Sequence, residues 1–320
     1  MLTFGPVPSR RLGRSVGINN IPPKFCTYSC VYCQLGRTIK MEAERRVFYP
    51  SEDIQKSVGE RIASAEKRGE SIDYLTFVPD GEPTMDTQLG KAIERIRFAG
   101  KKIAVITNSS LIGNEMVRED LKKADWVSVK IDSVQEDIWH RINRPHRSLN
   151  LNSVLNGILS FSKEFSGRLV TETMLVRDLN DSEAHMKDVA DFIKKISPEI
   201  SYLSVPTRPP AEKWVGPPTE EAIIRAYHVF SSELRSVETL IGYEGNAFAF
   251  TGDVKRDLLD ITAVHPMREE AVNEFLKKAG SDWSPVDQLI EQGLMVRKSF
   301  QKNIFYARKL FVSQNNQGLS

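Results

Sequence analysis

Cysteine is scarce in this chain, with three in 320 residues, a number too small and too odd for a disulfide scaffold. Histidine is nearly as rare at five. The first His after Cys33 is His140, so no short Cys/His finger that would close a zinc ion is written here. No apolar run reaches the roughly 18 residues that suggest a membrane-spanning helix. The opening Met1-Leu2-Thr3-Phe4-Gly5-Pro6 also lacks the basic-then-apolar pattern of a secretory leader. Neither charge sign is in excess: 44 Lys and Arg against 42 Asp and Glu leave a net charge of +2, so only a local patch could favour a polyanion. Low-complexity tracts and short-period repeats are absent. These exclusions lead us to expect a cytoplasmic protein without membrane contact. The composition, 40% hydrophobic and 27% charged, is that of a globular protein. Its length suits one large domain with a small appendage.

All three cysteines fall in one stretch, Cys26-Thr-Tyr-Ser-Cys30-Val-Tyr-Cys33, and that concentration needs a chemical cause. Three thiolates on a short loop can each hold one iron of a cubane iron-sulfur cluster, whereas a fully protein-ligated cluster takes four. One iron would stay open beside Tyr32, which suits binding a small molecule better than electron transfer alone. A structural zinc site would want a fourth ligand. Buried structural cysteines are common, but three on a polar loop after Pro22-Pro23-Lys24 do not read as core.

Around this loop the pattern alternates. Ser15 to Asn19 reads as a strand after an irregular lead carrying Arg10, Arg11 and Arg14, which could meet an anion or pair with surface carboxylates. Ser51 to Lys67 has helical rhythm, and strand Tyr74 to Val78 follows. A helix over Thr87 to Phe98, a strand over Ile103 to Ile106, a turn at Thr107 to Ser110 and a helix near Glu115 to Lys123 come next. Strands Trp126 to Ile131, Leu169 to Val176 and Ile200 to Val205 alternate with helices Leu151 to Phe161, Glu183 to Lys195 and Thr219 to Leu234. Six βα units imply a parallel sheet with right-handed crossovers. The stretch 207–218 has four prolines and should be stiff and extended, a cover or a connector.

CxxxCxxC with an aromatic before the last Cys resembles the signature of the radical S-adenosylmethionine (SAM) superfamily. Asp80-Gly81-Glu82-Pro83 resembles that family's GGE motif, with Asp80 in place of the first Gly, and Thr107-Asn108 its Thr-Asn-Gly-like turn. The resemblance covers about residues 10 to 250. It implies an α/β fold, a partial (β/α)6 TIM-type barrel, with chemistry at the C-terminal strand ends. It implies a 4Fe-4S cluster on Cys26, Cys30 and Cys33, and SAM near Tyr32, Gly81, Glu82, Thr107, Asn108, Ser128, Lys130, Asp132, Glu172 and Val205. Gly81 would admit close backbone approach, Lys130 would meet an anion such as the SAM carboxylate, and Ser128 and Asp132 would meet ribose hydroxyls. Asp132 could equally cap the next helix, and Glu172 could pair with Lys130. The implied chemistry is reductive cleavage of SAM to a 5'-deoxyadenosyl radical that takes hydrogen from a substrate, fed by a flavodoxin- or ferredoxin-type electron donor. Residues 128 to 180 look like glycyl-radical-activating and wyosine-forming relatives. The latter carry further cysteines for a second cluster, absent here, which argues against the same reaction. Arg144, His146, Arg208, Trp214 and Tyr243 are candidates for substrate contact.

From about residue 251 the rhythm changes. Helices over Val254 to Ile261, Arg268 to Lys278 and Pro285 to Gln292, then strands over Leu294 to Phe300 and Asn303 to Lys309, resemble a winged helix. Residues 251–293 hold 5 Lys/Arg against 9 Asp/Glu, and 294–312 hold 5 Lys/Arg and no acid. Acidic helices oppose phosphate contact, so protein docking or substrate presentation is favoured over DNA binding, with RNA or protein considered as a partner through the winged helix and RNA, protein or a small molecule as the substrate. A different class, an iron-sulfur sensor that regulates through the winged helix, would have no use for a SAM cradle.

Overall fold

The six predicted strands lie parallel and in chain order in one sheet, with two further strands at its edges. The computed structural model describes residues 2–241, 248, 250, 252–264, 266–300 and 302–309. The chain divides into two units, Met1–Gly245 and Asn246–Ser320. In the first, β1 (Thr3–Ser9) and β2 (Gly13–Ile18) form a hairpin, and β3 (Phe25–Cys26) pairs with β4 (Lys40–Met41). There follow α1 (Ser51–Lys67), β5 (Tyr74–Phe77), α2 (Leu89–Ile96), β6 (Lys102–Thr107), α3 (Glu115–Leu121), β7 (Trp126–Lys130), α4 (Glu136–Ile142) and α5 (Leu151–Glu164). β8 (Arg168–Met174), α6 (Glu183–Ile196), β9 (Ile200–Ser204), α7 (Glu220–Glu233) and β10 (Val237–Leu240) complete the unit. The sheet order is β1-β2-β5-β6-β7-β8-β9-β10, open at both edges as a partial barrel. Helix starts are sealed by Asn114, Asn150, Ser182 and Thr219, whose side chains accept from backbone N–H groups of the first turn.

Successive strand side chains point to opposite faces, and the sequence uses both faces. Phe77, Val105, Val127 and Val129 pack with Ile54, Ile93, Val154 and Ile158 of the helices into the main core. The neighbouring positions Ala104, Trp126, Val170, Tyr202 and Leu240 form a second, inner-face cluster around Leu12. Each Val, Leu, Ile or Phe side chain among them contributes about 1.5–3 kcal/mol when fully buried. Nearer the C-terminal strand ends the inner face turns polar, with Lys130, Glu172 and Ser204 at the same parity. The β1–β2 turn thus reaches over the inner face: Leu12 seats on it, and the Arg11 guanidinium lies 5.9 Å from the Tyr202 ring centroid.

The second unit contains α8 (Val254–Val264), β11 (Met267–Arg268), α9 (Glu269–Ala279), α10 (Ser284–Glu291), β12 (Met295–Phe300) and β13 (Asn303–Arg308). Its antiparallel sheet has the order β11-β13-β12. Phe275, Leu289 and Phe305 lie in its interior.

Candidate active site

The three thiols stand on a loop stitched to the segment after β5, to the end of α4 and to the segment that follows α4. Lys24 N–H donates to Asp80 O at 2.7 Å, Val31 N–H to Ile142 O at 2.9 Å and His146 N–H to Thr27 O at 2.9 Å. Gly81 makes this docking possible: φ is +159°, and a Cβ there would lie 1.8 Å from the Phe25 carbonyl oxygen. The close approach that Gly81 permits in this structure is therefore one between two segments of the chain itself. Two amides address the sulfurs. Asn108 Nδ2 lies 3.5 Å from Cys26 Sγ, and Asn143 Nδ2 lies 3.5 Å from Cys30 Sγ.

Burial pushes all three thiols above their ordinary range. Nearby Cys30 adds to the effect at Cys26, and Asp132 adds to it at Cys30, which is pushed up to about 12. At Cys33 the Lys24 ammonium opposes the rise. Thiols of this kind become thiolates against a bound cationic centre, which supplies the missing charge. Among the described residues no group of three or more His, Cys, Asp or Glu side chains is disposed to hold a single metal ion. A cubane needs no such convergence, because it presents a separate iron to each sulfur.

The thiols line a cleft of about 780 Å³ together with Lys24, Tyr32, Asp80, Gly81, Thr107, Asn108 and Lys130. Lys24 Nζ and Asp80 Oδ1 are 3.7 Å apart with both side chains buried. Lys24 Nζ and Asp80 Oδ2 have no hydrogen-bond partner. Burial pushes the Asp80 carboxyl up to about 6 despite Lys24.

Three buried networks hold the walls. Glu82 is fully buried and accepts from Thr84 N–H (3.0 Å) and hydroxyl (2.6 Å), the Thr107 hydroxyl (2.7 Å) and Asn108 N–H (2.7 Å). Burial raises its pKa, and these donors oppose the rise. Asp132 accepts from the Tyr32 hydroxyl, from Asn143 Nδ2 at 2.7 Å and from Met174 N–H at 2.9 Å. Lys130 Nζ lies 3.2 Å from Glu172 Oε1 and 4.8 Å from the Tyr32 ring centroid, and Arg11 holds the other Glu172 oxygen. Burial would raise the Glu172 carboxyl, but Lys130 and then Arg11 outweigh it and hold the group well below the usual range. Burial likewise works against the Lys130 charge, and Glu172 and Asp132 more than offset it.

The predicted residues therefore take different positions. Cys26, Cys30, Cys33, Tyr32, Gly81, Thr107, Asn108 and Lys130 share the cleft. Glu82 lies behind it with its oxygens occupied by the chain's own donors, because a carboxylate buried there needs all of them. Ser128 is buried in the inner-face layer between Trp126 and Lys130. Asp132 lines a recess with Tyr28, Asn108, Lys130 and Asn143. Glu172 and Val205 line a second, inner cavity together with Arg208. Trp214 and Arg144 border a surface recess with Arg141 and Arg177, and His146 pairs with the Ser148 hydroxyl at 2.8 Å. Tyr243 lies outside the described residues. The stretch 207–218 is without helix or strand, and Glu212 N–H donates to Val31 O at 3.1 Å, which fastens it to the cysteine loop. Asn143 and Lys24 are the site residues that sequence reasoning missed. Their only signals were adjacency to Arg144-Pro145 and to the cysteine motif.

A family model described as the radical SAM superfamily matches residues 20–193. The chain belongs to the radical SAM superfamily. It is similar to the UPF0026 protein MJ1312 of Methanocaldococcus jannaschii, with 46% identity over 97% of this chain and 96% of that protein. It is also similar to the S-adenosylmethionine-dependent nucleotide dehydratase of Flammeovirga pacifica, at 22% identity over 59% of this chain and 64% of that enzyme. Its fold resembles that of TYW1 with a lysine-pyruvate adduct bound, with a TM-score of 0.55, 16% identity and coverage of 69% and 74% of the two chains. As a radical SAM protein it is an enzyme that uses a 4Fe-4S cluster and SAM and needs a reductant. Among the described residues no helix is long and apolar enough to cross a membrane.

Proposed function

We propose that Cys26, Cys30 and Cys33 hold three irons of the cluster and that SAM occupies the adjoining cleft, its amino-acid end toward Lys24, Asp80 and Gly81. The single observation that carries this reading is the cleft itself, where three thiols, two of them met by side-chain amides, share one wall with the buried Lys24–Asp80 ion pair, whose ammonium nitrogen and carboxylate Oδ2 make no hydrogen bond. A zwitterionic amino-acid group brings the complementary charges. Bound there, cluster and SAM would supply reductive one-electron cleavage of the sulfonium and, through it, the capacity to abstract a hydrogen atom from a substrate. The chain's own work is to orient that C–H bond and keep water away. Asn108 and Asn143 steady the thiolates, Tyr32 stands between Lys130 and Asp132, and the 207–218 stretch covers the loop.

The electron donor on this reading is of flavodoxin or ferredoxin type, and the compartment is the cytoplasm. A phosphate-bearing substrate is supported by the name of the nucleotide dehydratase relative. The reading of residues 251–320 as a winged helix is supported by their order of helix, strand, two helices and two strands. With acidic helices and a basic final hairpin, the unit suits protein docking or substrate presentation better than DNA binding.

The test is anaerobic reconstitution followed by reductant and SAM, with 5'-deoxyadenosine and methionine as readout. Cys30→Ala should abolish both products. Product at the wild-type rate in that variant would refute the assignment.

A further inference from the structure

Lys24 is pinned from both ends. Its φ of +65° is left-handed backbone that side chains rarely adopt, its N–H donates to Asp80 O at 2.7 Å, and its carbonyl accepts from Ile39 N–H at 3.3 Å and Lys40 N–H at 3.1 Å. The side chain is buried in the wall of the thiol cleft, and its Nζ lies against the turn after Cys33, where a Cβ on Gly36 would stand 3.7 Å from it. Gly36 N–H in turn donates to Cys33 O at 3.0 Å. Asp80 Oδ1 faces the same ammonium at 3.7 Å, too long for a hydrogen bond, and Asp80 Oδ2 makes none either. Two charges taken out of water lose hydration that so loose a contact does not restore. A left-handed lysine and an under-bonded buried pair in one spot point to a use other than stability.

An electron entering a cluster adds negative charge at the sulfurs, as loss of a proton from a thiol does, so a neighbouring charge biases both processes in the same sense. Burial raises the Cys33 thiol, Lys24 opposes that rise more than any other group, Asp80 adds to it by less, and Lys130 also opposes it. The other two sulfurs face carboxylates. After burial and Cys30, Glu82 adds to the rise at Cys26, and after burial Asp132 adds to that at Cys30. Cys33 is therefore the cationic corner of the loop, and Lys24 is its strongest charge. We propose that Lys24 and Asp80 set the reduction potential of the cluster as an opposed pair, the ammonium favouring the reduced state and the carboxylate restraining it. The proposal rests on the reading that the three thiols hold the cluster, and not on where SAM lies.

Wild type, Lys24→Met, Asp80→Asn and Lys24→Arg would be reconstituted anaerobically and titrated potentiometrically without SAM, with the spin-resonance signal of the reduced cluster as readout. The titration is run at about pH 8, above the Asp80 value of about 6, so that the carboxylate is charged. Lys24→Met should hold about ten-fold less reduced cluster at a given potential, a midpoint about 59 mV more negative for one electron. Asp80→Asn should move the midpoint the opposite way, and Lys24→Arg should stay near the wild type. The opposite signs decide, because a structural loss common to both neutral variants has no reason to differ in sign. Midpoints unmoved, or moved in one direction by both neutral variants, overturn the inference. Should Lys24→Met take up no iron, the Asp80→Asn shift decides alone: a positive shift upholds the role of the pair, and a zero or negative one overturns it. A wild type that assembles no cluster overturns the cofactor reading and the inference with it, whereas a cluster with unmoved midpoints overturns the inference alone.

Discussion

Replacing Glu172 by Gln removes the one negative charge between two enclosed cations. In the native structure its oxygens meet Arg11, Lys130 and Ser204, and the side chains of Arg11, Lys130 and Glu172 are 14%, 21% and 10% exposed. Removing one partner of a buried pair costs about 3–5 kcal/mol, chiefly because the remaining charge stays desolvated without compensation. The Gln oxygen can still accept from Ser204 and one cation, so the lower end, about 3 kcal/mol, is expected, a large share of the roughly 5–15 kcal/mol that keeps a domain folded. Urea unfolding of the wild type and Glu172→Gln at pH 7 should show it as a lower midpoint at unchanged slope. The pH dependence follows from the depressed native pKa of Glu172. Its stabilisation is complete above the unfolded glutamate value, about 4.3, and is lost only as pH falls through the lower folded value. The gap between wild type and variant should stay constant from pH 7 to about 5 and narrow in more acid solution. A further change of Lys130 to Met in the Gln variant should cost less than the sum of the two single changes. A gap below about 1 kcal/mol at pH 7, the value of an exposed pair, or one indifferent to acid, would refute this account.

Gly81→Ala forces a methyl group into the Phe25 carbonyl, and iron incorporation per chain after reconstitution should fall sharply together with stability, by about 1–3 kcal/mol or more; wild-type iron content would count against the docking role of Gly81. Asn143→Leu removes the amide donor to Cys30 Sγ and to Asp132. If that donor favours the reduced cluster by about 1 kcal/mol, the midpoint should become more negative by about 40 mV in a potentiometric titration. An unchanged midpoint would assign Asn143 to packing alone.

The six-strand core was legible because its strands carry apolar side chains on both faces and so read as near-continuous hydrophobic runs. Two edge strands were not. Thr3–Ser9 contains Gly-Pro-Val-Pro, which reads as irregular and is tolerated because an edge strand can spare ladder donors. Val237–Leu240 has two exposed residues, Glu238 and Thr239, and too little alternation to register. The seven-residue helix Glu136–Ile142 is too short for a periodic signal. At the site, the cysteine spacing announced the loop, whereas Glu82 and Arg11 required coordinates. A carboxylate in a turn motif gives no sign that four donors from its own chain will surround it. Nor does an arginine in an irregular lead reveal a partner 161 positions further on. Arg14, three residues along, instead pairs on the outside with Glu70.

The long reach of the β1–β2 turn bears on biogenesis. Leu12 and Arg11 are made early, yet their seats on Val170, Glu172, Tyr202 and Leu240 leave the ribosome later by on the order of ten to forty seconds at ordinary elongation rates. Throughout that interval the nascent sheet lacks its inner plug, so the turn docks only after the strands it seats on, although it is translated before them.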